Sequence, residues 1–239
     1  MSHNGETLDD DPLTWLEKEF ATEGTRADFH RQLDACDAVL IELGQRVGGA
    51  VVPVTEAFLQ ADRHAAEGLI GADLAVAGEC LELEERCYVL LARQQPVARD
   101  LRRLVAIVRS VSDVQRSASL LDHVAESLTW VHPPSMPDQL RQTIAQLGDV
   151  AGEIFLRAVA AWSDHDGLAA NELQGRDDQV DLLQQVLLTE LYSGSQSVEE
   201  AVSLALIARY YERVADHGVE MARQVTYVVT GERVPPETG

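Results

Sequence analysis

Apolar residues recur every three or four positions along almost the whole chain, and this spacing restricts the fold more than any other feature. From about residue 26 onward it draws one apolar stripe along each segment, as a helix packed on a core requires. Beyond that point no segment alternates apolar and polar residues like a half-buried strand, and no Asn-Gly turn joins two such segments. The sequence therefore predicts an all-α protein.

Glycine and proline residues divide this helical pattern into six segments. Gly48, Gly49 and Pro53 fall inside the first segment, so a kink or a short break is expected there. Pro96 is placed in the first turn of the third helix, and Ser197 opens a Ser-x-x-Glu capping box for the sixth. The predicted helices cover about 26–70, 72–94, 96–130, 137–164, 168–192 and 197–231.

A proline-rich stretch at 132–135 (HPPS) separates two sets of three helices, and the two sets resemble each other. The second helices align at a shift of 104 residues and the third helices at a shift of 97. The pairs of the third helices are Ile107 with Leu204, Val111 with Ala208, Arg116 with Arg213, Ala118 with Ala215, Val124 with Met221 and Ala125 with Ala222. The prediction is two tandem, internally duplicated three-helix bundles, with domains at 1–25 (an acidic extension), 26–132, 133–232 and 233–239 (a tail).

The charge of the chain excludes some partners. Forty Asp and Glu against nineteen Lys and Arg give a net charge of −21, which repels nucleic acid and anionic lipid. Cys36, Cys80 and Cys87 are odd in number and form no CxxC motif, as expected for reduced core residues of a cytosolic protein. Residues 1–11 are polar, and no apolar run approaches a membrane span, so no signal peptide and no direct membrane insertion are expected.

Two acidic pairs are the strongest candidates for chemistry. Glu212 and Asp216 are one turn apart on the sixth helix, on the solvent side of its apolar stripe, and Asp177 and Asp181 repeat the pattern on the fifth. Four carboxylates on neighbouring helices suit a hard cation. In so acidic a chain the same pairs also fit an ordinary solvated surface. His217 is a further candidate ligand, although a helical histidine more often has no such role.

Three segments carry a resemblance to a known family. The segment 207–217 (IARYYERVADH), followed by Tyr227, Thr230 and Gly231, resembles the C-terminal signature of the PhoU family, accessory regulators of phosphate-specific transport. The segment 90–102 (LLARQQPVARDLR) resembles that family's RQPVA-x-DLR segment, and 177–181 (DDQVD) resembles its D-x-x-x-D segment. The resemblance covers about 26–231. It implies two tandem three-helix bundles with one metal-binding acidic cluster in each.

Only the second repeat keeps the acidic positions that the resemblance implies. They are Asp177, Asp181, Glu212 and Asp216. The matching positions of the first repeat are Asp73, Ala77, Gln115 and Ser119, so three of the four carboxylates are missing. Methyl, amide and hydroxyl groups do not replace anionic ligands of a hard cation. We therefore expect one divalent or ferric ion per chain, in the second repeat only.

The function that the resemblance implies is regulation without catalysis. A PhoU-like protein would repress the phosphate-starvation response when phosphate is plentiful, by linking the ATPase subunit of the phosphate ABC transporter to a phosphate-responsive sensor histidine kinase. It would be a cytoplasmic homodimer, held at the inner face of the membrane through its partners. The contacts are expected on exposed faces of the third and sixth helices, including Arg99, Arg102, Arg103, Arg209 and Arg213.

No motif of an enzyme accompanies these features. The chain has no phosphate-binding glycine loop, no GxSxG and no HExxH, so no catalytic or cofactor-binding residues are predicted. The alternative is a metal-binding or structural helical bundle without a signalling role. A ferritin-like di-iron oxidase fits least, because Glu82 and Glu85 lack a histidine three residues later.

Overall fold

The fold is described here from a computed structural model, which covers residues 26–70, 72–130 and 136–233. Seven helices and no strand occur in these ranges, which confirms the all-α prediction. The extension 1–25, the linker 132–135 and residues 234–239 lie outside them. The helices are α1 (Arg26–Gln60), α2 (Arg63–Ile70), α3 (Ala72–Gln94), α4 (Ala98–Trp130), α5 (Asp138–Asp164), α6 (Ala169–Ser193) and α7 (Val198–Thr230).

The six long helices form two three-helix units that share one core. In the first half α1, α3 and α4 contact one another, with the short α2 added beside α4, and in the second half α5, α6 and α7 do the same. The halves meet where α1 packs on α5 and α4 packs on α7. The buried apolar side chains of both halves belong to one continuous cluster. The four inner helices therefore form the centre, and α3 and α6 flank it.

The duplicated helices α4 and α7 run antiparallel to each other. The His123 and Tyr210 rings are 5.6 Å apart, and the Asp113 carboxylate lies 3.1 Å from the His217 ring. All five apolar pairs of the 97-residue alignment are buried on both helices, whereas the arginine pair, Arg116 and Arg213, is not. The predicted register of the repeat is therefore reproduced in the packing.

The first helix differs from the prediction, because α1 continues through its glycines and Pro53 to Gln60. Gly48 serves close packing between helices. A Cβ at Gly48 would lie 2.7 Å from Cδ2 of Leu156, so this position lets α5 come close to α1. The chain breaks further on, where Ala61 adopts a left-handed φ of 53° before α2 begins. The predicted break was thus misplaced by about two turns, and the predicted kink at Pro53 stays a prediction.

Most other helix ends agree with the prediction. Ser197 caps α7 with both hydrogen bonds of a capping box, and α7 ends at Gly231 with a φ of 84°. The start of α4 is the exception, because it lies at Ala98 and leaves Pro96 in the connection. Gln95 adopts a left-handed φ of 44°, so the chain leaves the helical path before it reaches Pro96.

By length and composition alone, α1 could cross a membrane, since it contains an 18-residue window of mean hydropathy 1.2. Of that window, 44% is buried inside the protein. Core helices of soluble proteins pass the same test. Because α1 supplies core residues to both halves, its apolar character is explained by packing.

Candidate metal centre

The two acidic pairs lie on adjacent helices, α6 and α7, and interact electrostatically with one another. Asp181 and Asp216 are exposed, and Asp177 is partly buried. Glu212 is only 8% exposed, so the prediction that it faces solvent is wrong. Helix α7 packs against α4, α5 and α6 at once, and a position on the flank of its apolar stripe is therefore still covered.

Three carboxyl groups of the two pairs, those of Asp177, Glu212 and Asp216, have raised pKa values and are therefore harder to ionise. Burial first, and then the charges of Asp216, Asp181 and Glu212, raise the pKa of Asp177 to about 7. Desolvation by the neighbouring helices is also the main cause that raises the pKa of the buried Glu212 and of Asp216, whose side chain still reaches solvent. In the protein without metal, the Arg209 ion pair with Glu212 thus does not offset the burial and mutual repulsion that raise these pKa values.

Two buried carboxylate oxygens of this cluster have no hydrogen-bond partner. They are Oδ1 of Asp177, on α6, and Oε2 of Glu212, on α7. The other oxygen of Glu212, Oε1, forms an ion pair with the half-exposed guanidinium of Arg209. Unpartnered buried acceptors are uncommon in proteins and call for an explanation. A bound cation would satisfy both oxygens.

The donor chemistry fits a hard cation, because such ions prefer anionic oxygen ligands. The side chains do not form a closed ligand set as they stand. Within the described ranges, no three His, Cys, Asp or Glu side chains are grouped closely enough to hold a metal ion. The assignment of a metal to Asp177, Asp181, Glu212 and Asp216 therefore stays a prediction. It is supported by the raised pKa values and the two unpartnered oxygens.

The first half offers no matching set of carboxylates. Gln115 is exposed and Ser119 is partly buried on α4, at the positions aligned with Glu212 and Asp216, and Ala77 is partly buried on α3. The side chain of Asp73 lies outside the described residues. The two halves thus share helix packing but differ in the chemistry of these positions.

His217 has a different environment from the one expected for a metal ligand. It is buried on α7, and its Nδ1 lies 3.1 Å from Oδ1 of Asp113 on α4, which is also buried. This buried pair joins the two halves of the molecule. A shift of 97 residues places Tyr210 and Leu120 at the equivalent positions, so the pair occurs once. The single acidic residue in the apolar stripe of α4 was the signal that sequence reasoning missed.

Arg103 is also not the exposed contact residue that the sequence suggested. Its Nε donates to Oδ2 of Asp37 at 2.5 Å, and its Nη2 contacts Asp34 at 2.6 Å. The indole Nε1 of Trp162 donates to the other Asp37 oxygen at 3.1 Å. Arg103 thus joins α4 to α1, with Asp37 also held by α5. Arg99 and Arg209 are exposed, whereas Arg102 and Arg213 are partly buried.

A large apolar groove lies between the second half of α4 and the first half of α7. Its volume is about 490 Å³, and its walls include Val202, Leu206 and Tyr210 from α7 and His123 from α4. Val198, Val202 and Leu206 are exposed at successive turns of α7. Contiguous exposed apolar surface of this kind is typical of interaction sites.

The sequence matches the PhoU domain over residues 40–128 and again over 144–225. The chain therefore belongs to the PhoU family. It is 36% identical over 209 residues to the phosphate-specific transport system accessory protein PhoU homolog 2 of Mycobacterium tuberculosis, covering 86% of this chain and 98% of that relative. Homolog 1 of Mycobacterium leprae is 35% identical, over 86% of this chain and 94% of the relative.

Solved structures agree in fold. The phosphate transport system regulatory protein PhoU from Streptococcus pneumoniae has a TM-score of 0.78 at 24% identity, over 87% of this chain and 99% of that chain. PhoU from Pseudomonas aeruginosa has a TM-score of 0.79 at 24% identity, over 85% of this chain and all of that chain. The two repeated all-helical units are thus a property that this chain shares with both.

The raised pKa of Asp177 predicts a pH dependence of stability in protein stripped of metal with a chelator. The carboxyl group ionises near pH 4 when unfolded but near pH 7 when folded, so its favourable contribution is complete below pH 4 and lost as the pH rises through 7. Asp177→Asn should match the wild type at pH 4 and exceed it by about 1–2 kcal/mol at pH 8, allowing for solvent screening. Urea unfolding at both pH values measures this, and equal stabilities at pH 8 would contradict it.

Proposed function

We propose that this chain is a non-catalytic accessory regulator of phosphate-specific transport, which represses the phosphate-starvation response when phosphate is plentiful. One observation carries the proposal: both halves match the PhoU domain, and relatives aligned over 94–98% of their length are named phosphate-specific transport system accessory proteins. The chain would act as they do, through other proteins. This role accounts for a fold in which both repeats contribute packing and neither repeat presents a catalytic motif.

The partners in this proposal are the ATPase subunit of the phosphate ABC transporter and a phosphate-responsive sensor histidine kinase. A net charge of −21 favours basic surfaces on such partners and speeds encounter with them. The protein would be a cytoplasmic homodimer, brought to the inner face of the membrane by the transporter. Control of gene expression would pass through the kinase, since so acidic a chain repels DNA.

The cluster of Asp177, Asp181, Glu212 and Asp216 would hold one divalent or ferric ion, in the second half only. The two unpartnered buried oxygens and the raised pKa values support this assignment. A bound cation would add positive charge to the carboxylate cluster, and it would compete with Arg209 for Glu212. Its role would be to fix α6 against α7 beside the surface that carries Arg209.

The second candidate function is a metal-binding or structural bundle without signalling partners, and the same carboxylate cluster would serve it equally well. A di-iron oxidase has less support. Glu82 and Glu85 are exposed on α3, whereas carboxylate ligands of a di-iron centre project into the core of a bundle.

Co-purification distinguishes the regulatory role from a metal-binding or structural bundle without signalling partners. The full chain, tagged and expressed from its own locus, should recover the ABC ATPase and the kinase from phosphate-replete cells. Arg99→Glu, at an exposed position near the start of α4, should weaken recovery, whereas Arg116→Glu, exposed farther along the same helix, should not. Arg103 is unsuitable for this test because its ion pairs hold α4 to α1. Recovery of neither partner with the wild-type chain would contradict the proposal.

A further inference from the structure

Two buried thiols of the first half lie next to each other where α1 packs against α3. Cys36, on α1, and Cys87, on α3, are both free and almost completely buried. The two thiols share a hydrogen bond, in which either sulfur could be the donor. The residues are 51 positions apart in sequence, so this contact depends on the packing of α1 against α3. Two thiols in contact can be oxidised together, which a single buried thiol cannot.

A cavity of about 410 Å³ between α1 and α3 gives access to one of the two sulfurs. Cys36 lies in its wall, together with Ala35, Arg86 and Val89, whereas Cys87 does not line it. Hydrogen peroxide is close to water in size, so the cavity has room for it. The geometry therefore gives the two thiols different roles, with Cys36 oxidised first and Cys87 reacting second.

The charges around the pair support the same order. The hydrogen bond with Cys87 is the largest cause that lowers the pKa of Cys36, and Arg86 and Arg103 also lower it, against the opposing effects of burial and Asp37. The hydrogen bond with Cys36, together with burial, raises the pKa of Cys87. Cys36 is therefore the thiol of the pair that ionises more readily, and the thiolate is the form that reacts with peroxides.

We propose that Cys36 and Cys87 form a peroxide-sensitive dithiol, which closes to a disulfide that links α1 to α3. The Cys36 thiolate attacks hydrogen peroxide, so that an S–O bond forms, the O–O bond breaks and, with one proton, water leaves. The Cys87 sulfur then attacks the Cys36 sulfenic acid, an S–S bond forms, and the hydroxyl leaves as a second water with the Cys87 proton. Two thiols and one peroxide thus give one disulfide and two waters.

Closure would change the rigidity of the first half. The bond would close a loop between residues 36 and 87, which reduces the freedom of the unfolded chain. Helix α1 also packs on α5, so a cross-link to α3 constrains a helix at the junction of the two halves. We expect oxidation to raise the Tm by about 5–10 °C. This inference goes beyond the proposed function and does not depend on it.

The test uses the full chain, reduced, freed of metal and then exposed to increasing hydrogen peroxide. Remaining thiols are alkylated under denaturing conditions before mass spectrometry. The expected result is a product with two thiols lost, a cross-linked peptide containing Cys36 and Cys87, and reversal by dithiothreitol. Cys80→Ala is the matched control, since Cys80 is buried one heptad before Cys87 on the same helix, and it should behave as the wild type.

The single variants Cys36→Ala and Cys87→Ala should each lose the cross-link while circular dichroism shows unchanged helix content. If either variant fails to fold, the peptide map of the wild-type protein decides the question alone. The proposal is overturned if alkylation shows that Cys36 and Cys87 are still thiols at peroxide concentrations that oxidise exposed thiols of other proteins. It is also overturned if the cross-linked peptide contains Cys80. A disulfide that forms without a change in Tm would overturn the predicted change in rigidity.

Discussion

Replacing Gly148 by valine is expected to destabilise the protein by about 3–5 kcal/mol and to lower its Tm by about 10 °C. A Cβ at this position of α5 would lie 2.3 Å from Oγ1 of Thr55 and 3.0 Å or less from its other side-chain atoms, so rotation of Thr55 does not relieve the contact. Thr55 also shares a 2.7 Å hydrogen bond with the buried Tyr211 hydroxyl. The substitution therefore overpacks the contact of α1 with α5 and breaks a buried hydrogen bond.

Gly49→Val is the matched control for this prediction. Gly49 is also inside a long helix, on α1, but a Cβ there would meet no atom within 4 Å. Valine has a slightly higher helix propensity than glycine, so the control should be neutral or slightly more stable. Chemical and thermal unfolding of both variants measure the difference. Equal stability of the two variants would show that the halves do not meet closely along α1 and α5.

Removing the carboxylates of the second half is expected to abolish metal binding. Purified protein should take up about one equivalent of Mn²⁺ or ferric ion, and Glu212→Gln with Asp216→Asn should weaken binding by more than about 100-fold. Two anionic ligands would be lost, while the fold should remain, because the changes relieve repulsion within the carboxylate cluster. Calorimetric titration and elemental analysis measure affinity and stoichiometry.

Two controls distinguish this site from general acidic attraction. Asp73→Asn changes the only carboxylate left at the matching positions of the first half, and Asp149→Asn changes an exposed carboxylate on α5. Both should bind metal as the wild type does. Two equivalents of metal per chain, or metal retained by the double variant, would contradict the assignment to the second half.

Periodicity was enough to predict the helices and the repeat, because both depend on local spacing. Helix α7 begins after the capping box at Ser197 and ends before Gly231, both as expected. The 97-residue register was reproduced in the buried pairs of α4 and α7. Gly48 shows where such reasoning stops. Glycine inside a helix signals either a break or a close approach, and only the position of Leu156 on α5 shows which of the two applies.

The candidate site was less predictable because burial depends on neighbouring helices. A helical wheel of α7 alone placed Glu212 toward solvent, and contacts with three other helices bury it. His217 and Arg103 were considered as a ligand and a contact residue, yet their partners Asp113 and Asp37 lie on other helices. Residues separated by 66 or 104 positions give no local signal of pairing.

The most direct test of the regulatory role is a reporter of phosphate-starvation genes in the organism that encodes this chain. In phosphate-rich medium, deletion of the gene should raise reporter expression, and the wild-type chain or the Asp149→Asn variant should restore repression. Loss of repression in the deletion strain, reversed by the full chain, is the result expected of an accessory regulator of phosphate transport. Unchanged repression in the deletion strain would contradict that role, whatever metal the protein binds.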